Sequence, residues 1–451
     1  MNQPFRFRDT FPRDARTILT LAGPLAVNNL VLAGMMLTNT VMAGRLGPEP
    51  LAGVAVGNSY YQAFWLFGLG VLMSISPLVA HAYGAGQDEA VGRRFRQGVW
   101  LALMLAVPLV GLLACVEPAL SWFGTDARAI PHAAGYVYAM CFAMPAMLVF
   151  LAHRYTSEGI GWTRPVMYTA LVGLAVNVAG NLVFTRGSFG VQSLGATGCG
   201  IATALACWAM LVTMHFYQRR HAIYRRFGLF TRFERPDPAA LREILALGLP
   251  IAGSVVSEGA LFVVAALLMS TLGTVKVAAH QVAIAYAALM FMIPLSLHSA
   301  TTIHVGHQLG RGDAAAGRNA GWAGIAMCGM VMASSSLVIL AARAGIAATF
   351  TSDPQVLALA TSLLLFVAVF QIPDGLQVGA AGALRGFKDA RVPMLLNFTA
   401  YWLVGFPLAW WLGIRMGAGP DGIWSGLIAG LFTCAALLIW RYRRISQSSS
   451  R

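Results

Sequence analysis

Apolar residues in this chain neither alternate with polar ones nor recur at every third or fourth position. They come in long unbroken runs separated by short polar stretches. Twelve runs stand out, at about 17–43, 53–82, 98–120, 133–153, 166–185, 196–216, 244–270, 277–305, 320–342, 355–383, 394–414 and 422–440. Each has about the 20 residues that a helix needs to cross the hydrocarbon core of a bilayer. The pattern predicts an all-α integral membrane protein with twelve transmembrane helices. Pro24, Pro77, Pro145, Pro250, Pro294, Pro373 and Pro407 fall inside the runs. Membrane helices tolerate such interruptions where neighbours or water satisfy the freed backbone groups, and these sites often line cavities.

The longest polar stretch, 217–243, divides the runs into two sets of six, and the two halves resemble each other. Leu21-Ala-Gly-Pro24 matches Leu247-Gly-Leu-Pro250, Leu46-Gly47 matches Leu272-Gly273, and Tyr83-Gly-Ala-Gly86 matches Leu309-Gly-Arg-Gly312, all at one offset of 226. Phe142…Pro145 matches Phe370…Pro373 at 228, and Gly195-Ala-Thr-Gly198 resembles Gly419-Pro-Asp-Gly422. Loop residues match in register as well as apolar ones, which chance likeness between apolar helices does not explain. The expected organisation is an N-terminal six-helix lobe over 1–216, a cytoplasmic linker over 217–243 and a C-terminal six-helix lobe over 244–451. Six is even, so both lobes enter the membrane in the same sense, as a parallel internal repeat.

Composition agrees with this picture. The chain is 58% hydrophobic and 11% charged, far below the ~25% charge of a soluble domain. A net charge of +14 first suggests nucleic acid, but the placement of the basic residues argues otherwise. Of the 31 Lys and Arg, 25 fall on one set of alternating loops and termini. Only Arg45, Arg128, Arg186, Lys276, Arg343 and Arg415 fall on the other. That asymmetry places both termini in the cytoplasm and turns the basic loops toward anionic lipid, with no nucleic-acid partner implied. The six Cys are scattered through apolar runs without a C-x-x-C and read as small core residues. The N-terminal arm has no signal-peptide h-region of its own. The dipeptide Gly-Lys never occurs, so there is no Walker A loop for nucleotide.

Candidate chemistry is sparse, and that makes it informative. Of 17 acidic residues, Glu258 and Asp374 are read as the two that lie deep in apolar runs, the others falling in loops or near run ends. An ionisable group at such depth costs at least ~2.5 kcal/mol and is by default a functional-site hypothesis. The repeat pairs Glu258 with Leu32 and Asp374 with Ala146, so the acidic chemistry belongs to the C-terminal half. Two poorly solvated carboxylates that face each other cannot both remain bare anions; a proton or a metal cation must join them. Pro250 and Pro373 are expected to break the seventh and tenth helices, the latter freeing carbonyls near Phe370 as further ligands. His280 reads as a hydrogen-bonded helix-end residue. His298, His304 and His307 gather near the inner end of the eighth run without metal partners.

Thr38-Asn-Thr-Val-Met-Ala-Gly-Arg-Leu-Gly47, Leu247-Gly-Leu-Pro250…Glu258, Ala278-Ala-His-Gln281, Gln371-Ile-Pro-Asp374 and Gly195-Ala-Thr-Gly-Cys-Gly-Ile-Ala-Thr203 resemble the multidrug and toxic compound extrusion (MATE) family, in its NorM-type bacterial branch. The likeness covers about residues 15–445. It implies two six-helix lobes around a central cavity in a multi-pass protein of the bacterial inner (plasma) membrane, taken here as a monomer among membrane lipids. It implies export of bulky, mainly cationic drugs and other small organic molecules against inward flow of Na+ or H+, by alternating access. No cofactor is implied beyond that coupling ion. Glu258 and Asp374 match the branch's acidic cation site, and would be the Na+ ligands if sodium is the ion. Many relatives carry Asp where Asn39 stands, and Asn39 cannot titrate, so a proton switch in the N-terminal lobe is not expected. Asn177 and Asn181, one turn apart, are neutral polar candidates nearby. Gln281 and Gln371 are further candidates for lining the cavity.

Other functions fit the residues less well. The alternative is a lipid or lipid-linked sugar flippase of the related two-lobe fold; one for anionic headgroups should place Arg or Lys inside its cavity, whereas the deep ionisable residues here are acidic. A membrane enzyme needs a cluster of reactive groups at one depth, and a channel needs a selectivity filter. Neither is visible in the sequence.

Overall fold

The computed structural model describes residues 7–188, 190 and 192–448. The topology expectations for Arg6 and Arg451 lie outside the described residues. Twelve helices among the described residues are long and apolar enough to cross a membrane. They are α1 (Asp9–Gly44), α2 (Pro48–Gly84), α3 (Asp88–Ala114), α4 (Ile130–Gly159), α5 (Arg164–Thr185), α6 (Gly195–Arg220), α7 (Pro238–Ser270), α8 (Thr274–Gly310), α9 (Ala314–Phe350), α10 (Pro354–Gly386), α11 (Arg391–Arg415) and α12 (Gly419–Ser448). No strand occurs among the described residues. Each helix corresponds to one run of the sequence.

The ends differ from the apolar runs where polar turns continue a helix beyond them. The third run was expected at 98–120; α3 instead starts at Asp88 and a separate short helix, Val116–Trp122, follows it. Arg93, Arg94 and Arg96 therefore stand on helical turns rather than in a loop. Likewise α4 extends to Gly159 and carries Arg154 and Glu158, buried and paired at 2.6 Å. Glu158 lies at the helix end, outside the apolar run as expected of the acids other than Glu258 and Asp374, but it is buried there with its own counter-ion.

Pro250 and Pro373 do not break their helices. Both α7 and α10 continue through them. A proline removes one donor, while the flanking turns keep their bonds and neighbouring helices hold them in place. The real departures are π turns, in α5 at Asn181–Thr185 and in α11 at Thr399–Gly405 and Trp411–Arg415. These are the fifth helices of the two halves, so the irregularity itself is repeated. A π turn shifts the register of the side chains on either side of it and occurs often at functional sites.

Contacts divide the chain into two compact units: Pro24–Ala252, and Gly253 onward together with the residues up to Gly23. Chain-order boundaries at 216 and 243 miss this exchange. In the second unit, Ile18, Leu21 and Ala22 pack on Leu297, Ala300 and Ile303. Asp14 of α1 also meets His304 Nε2 at 2.9 Å. In the first unit, Ser74 Oγ donates to the Ile244 carbonyl at 3.1 Å. There Gly70, lacking a Cβ, admits the backbone at Ala252. In each half the first helix changes units beside the repeated proline, Pro24 or Pro250.

The linker is shorter than its polar stretch, because α6 runs to Arg220 and α7 begins at Pro238. It is strapped along α3. Arg96 donates to the Gly228 carbonyl and to Glu234, both at 2.6 Å. Gln97 donates to the Arg235 carbonyl at 3.0 Å and accepts from the Asp237 N–H at 2.8 Å. Trp100 Nε1 donates to the Glu234 carbonyl at 2.7 Å, and Arg93 pairs with Asp237. Gly92 leaves room for the Phe227 carbonyl against α3, where any Cβ would collide.

The hydrogen bond from Arg96 holds Glu234 below the usual glutamate range, and that from Arg93 does the same for Asp237. Carboxylates whose folded pKa is depressed stabilise the strap fully above their unfolded pKa, and that contribution is lost as pH falls through the folded value. Amide hydrogen exchange within 221–237, corrected for its intrinsic pH dependence, should therefore stay slow from neutral pH down to about 5 and speed up only below about 4; a strap already open at pH 6 would contradict this. Gly92→Val should open it at neutral pH and cost about 1–3 kcal/mol by overpacking, read as a lower Tm with accelerated exchange.

Candidate functional site

Each unit buries a network of side-chain hydrogen bonds between its helices. In the second unit, Asp374 and Gln377 stand on one face of α10 at i and i+3. Glu258 projects from α7, Asn397 and Tyr401 from α11, and Cys434 from α12. Gln377 Nε2 donates to Glu258 Oε1 at 3.1 Å and to Asp374 Oδ1 at 3.3 Å. One primary amide thus bridges the two carboxylates. On its other side, Gln377 Oε1 accepts from the Tyr401 hydroxyl at 3.0 Å. Cys434 Sγ lies 3.5 Å from the same oxygen and 3.2 Å from Asn397 Oδ1. Trp402 Nε1 donates to Ser257 Oγ at 2.9 Å, tying α11 to α7 beside Glu258. Asp374, Gln377, Tyr401 and Asn397 are buried, whereas Glu258 keeps part of its surface open.

The groups are mostly oxygen: two carboxylates, and behind Gln377 its own carbonyl, a phenol and an Asn carbonyl, with the Cys434 thiol as the one sulfur. Hard cations and protons match such a set, and soft metals do not. Among the described residues, no group of three or more His, Cys, Asp and Glu is arranged to hold a metal.

The first unit carries a neutral counterpart. Asn39 Oδ1 accepts from Asn177 Nδ2 at 3.2 Å and from Asn181 Nδ2 at 2.9 Å. Asn39 Nδ2 donates to Thr203 Oγ1 at 2.8 Å, and Thr185 donates to Asn181 Oδ1 at 3.0 Å. Both ends of the Asn39 amide are satisfied, and the knot ties α1 to α5 and α6. Asn181 opens the π turn of α5, as Tyr401 lies in the π turn of α11.

Glu258 with Asp374, and Asn39 with Asn177 and Asn181, are thus brought together as pairs and triads. Gln281 and Gln371 join neither cluster by hydrogen bonds. Gln281 is exposed on α8, and Gln371 is fully buried with neither amide atom paired. His280 is not a bonded helix-end residue: it is buried edge-on to Trp424, ring centres 5.6 Å apart, with Nδ1 unpaired. His298 Nδ1 sits 2.8 Å from the Val378 carbonyl. Gln377, Asn397 and Tyr401 escaped the sequence reading. The i, i+3 spacing of Gln377 from Asp374 was a usable signal; nothing local marks Asn397 or Tyr401, which lie on another helix.

The sequence matches the MatE family over residues 24–183 and 250–411. It is 40% identical over 437 residues to the "Probable multidrug resistance protein NorM" of Xanthomonas campestris pv. campestris, covering 97% of this chain and 95% of that one. It is 39% identical over 438 residues to "Multidrug resistance protein PmpM" of Pseudomonas aeruginosa, covering 96% and 91%. Its fold is that of "eukaryotic MATE transporter AtDTX14", with a TM-score of 0.89 at 20% identity over 98% of this chain and 99% of that one. Twelve helices in two repeats, each repeat with a buried polar cluster, define a multi-pass membrane transporter. The chain belongs to the MatE family, in its NorM-type branch.

Asn39→Ala should leave the Asn177, Asn181 and Thr203 groups without their shared partner and cost about 1–3 kcal/mol. Thermal unfolding in detergent should show a Tm lower by several degrees; an unchanged Tm would mean that water replaces the amide.

Proposed function

We propose that this chain is a secondary active antiporter of the bacterial inner membrane. It exports bulky, mainly cationic organic compounds in exchange for Na+ or H+ by alternating access. The observation that carries the reading is the Gln377 amide joining Glu258 to Asp374 within one helical unit. A small cation on this pair removes the charge that attracts an organic cation; an organic cation at the pair removes the reason for the ion to stay. Exchange follows from competition for the same negative charge. Inward passage of one positive charge supplies ~2.3 kcal/mol per 100 mV of membrane potential. The names of the relatives, multidrug resistance proteins, support a broad set of cargoes.

Gln377, fixed from behind by Tyr401, keeps the carboxylates in place for an ion held by their oxygens. The neutral knot at Asn39 holds helices together and leaves coupling to the second unit. The charge asymmetry of the loops supports cytoplasmic termini, so cargo is loaded from the cytoplasm and the ion enters from outside. The protein acts as a monomer surrounded by lipid.

The test is efflux of a fluorescent cationic dye from cells lacking their own pumps, under a sodium gradient alone or a pH gradient alone. Wild type should export under one of the two, and Glu258→Gln and Asp374→Asn should each lose on the order of tenfold or more, about 1.4 kcal/mol of cargo or ion affinity, while reaching the membrane in normal amount. Variants that export as well as wild type would place coupling elsewhere.

A further inference from the structure

A cavity of about 620 Å³ lies in the Pro24–Ala252 unit and shares no residue with either polar cluster. Its walls come from α3, α4 and α6, and the linker closes one end. We propose that this cavity binds one anionic phospholipid of the cytoplasmic leaflet, acyl chain along the helices and phosphate at the linker. The leaflet assignment rests on the topology proposed above; the lipid class rests on the cavity itself.

Three features point to that ligand. First, the walls away from the linker are apolar. Leu103, Val149, Leu211 and Val212 line them, and Leu103 and Val212 remain 41% and 46% exposed on the helices' outer surface. A cavity open along membrane-spanning helices meets acyl chains rather than water. Second, the linker end is a ring of aromatic groups. Phe233 packs on Trp100 with ring centres 5.9 Å apart, and Phe230 packs on His215 at 4.7 Å. Phe233, 85% exposed, has no protein surface over it. Of these aromatic groups, Trp100 is of the kind that settles at the level of lipid headgroups.

Third, the charge at that end is positive. Arg96 is 91% buried by its 9% exposure, lines the cavity, and its Nε has no partner. Arg232 also lines it, with its side chain 68% exposed and only a 3.3 Å contact to Glu89. The one acidic residue in the wall, Glu234, is already held by Arg96 at 2.6 Å. A phosphodiester accepts hydrogen bonds from such guanidinium groups, and basic pockets between helices on this side of a membrane select anionic headgroups. An organic cation would instead meet two guanidinium groups against one carboxylate, Glu234, that Arg96 already holds. Because the cavity wall includes both α3 and the linker, a lipid seated there also fastens the strap.

The experiment is native mass spectrometry of the intact protein in mild detergent, titrated with phosphatidylglycerol, phosphatidylethanolamine, glycerol 3-phosphate or inorganic phosphate. Wild type should retain one phosphatidylglycerol at least about fivefold more strongly than phosphatidylethanolamine. Millimolar glycerol 3-phosphate or phosphate should not displace it. Arg232→Glu, a surface change, should abolish the preference, and Leu211→Trp, which fills the cavity, should remove the bound lipid. In parallel, phosphatidylglycerol with brominated acyl chains should quench the fluorescence that Trp100→Phe removes. Equal retention of both lipids, unaffected by Arg232→Glu, would overturn the proposal in favour of ordinary boundary lipid. Capture of free phosphate without lipid would overturn it in favour of a soluble anion, and displacement of the lipid by a cationic dye would overturn it in favour of a cargo site. None of these readings depends on dye efflux.

Discussion

Two carboxylates inside a stack of apolar helices must be given something to bind, because so little of their surface can be solvated there. In this protein one amide does most of that. Gln377 gives one N–H to Glu258 and one to Asp374, and its carbonyl is fixed from behind by Tyr401. An amide donor satisfies hydrogen bonds but adds no positive charge, so the pair stays electrically unbalanced. A salt bridge to Arg would have closed the site; Glu158, paired with Arg154 at 2.6 Å, is what closure looks like in this fold. The unbalanced pair is where an exchangeable cation belongs.

The first unit shows the same architecture without the charge. Asn39, Asn177, Asn181 and Thr203 satisfy one another almost completely. A complete neutral network rigidifies and has no proton to give or take. The two halves therefore share a scaffold, including a π turn in the fifth helix of each, and differ in what is buried against it. The repeat also exchanges elements: the first helix of each half begins in the unit that the other half mainly builds.

Much of this was legible in the sequence. Twelve apolar runs became twelve helices, since a long unbroken apolar run can satisfy its own backbone groups in a bilayer only as a helix. Glu258 and Asp374 stood out because charge is expensive where they lie. The paired prolines Pro24 and Pro250 marked the crossing points, although only packing shows that helices change units there. Helix ends were harder, because Arg93, Arg94 and Arg96 look like a loop by polarity but find partners on a helix, Arg93 and Arg96 in the linker and Arg94 at Glu243 of α7. Nothing in the sequence near Asp14 points to His304, 290 positions away, which only the fold brings to it. Tyr401 and Asn397 had no local mark, since their role comes from helix α11 facing α10, a relation that no window of sequence contains.

The most direct measurement is equilibrium binding of a fluorescent organic cation to the purified protein, with Na+ concentration and pH varied independently. If cargo and coupling ion share the Glu258–Asp374 pair, the apparent Kd should rise in proportion to one of the two ions. The sensitivity should vanish in the Glu258→Gln, Asp374→Asn double variant. An affinity indifferent to both ions in the wild-type protein would contradict competition at this site.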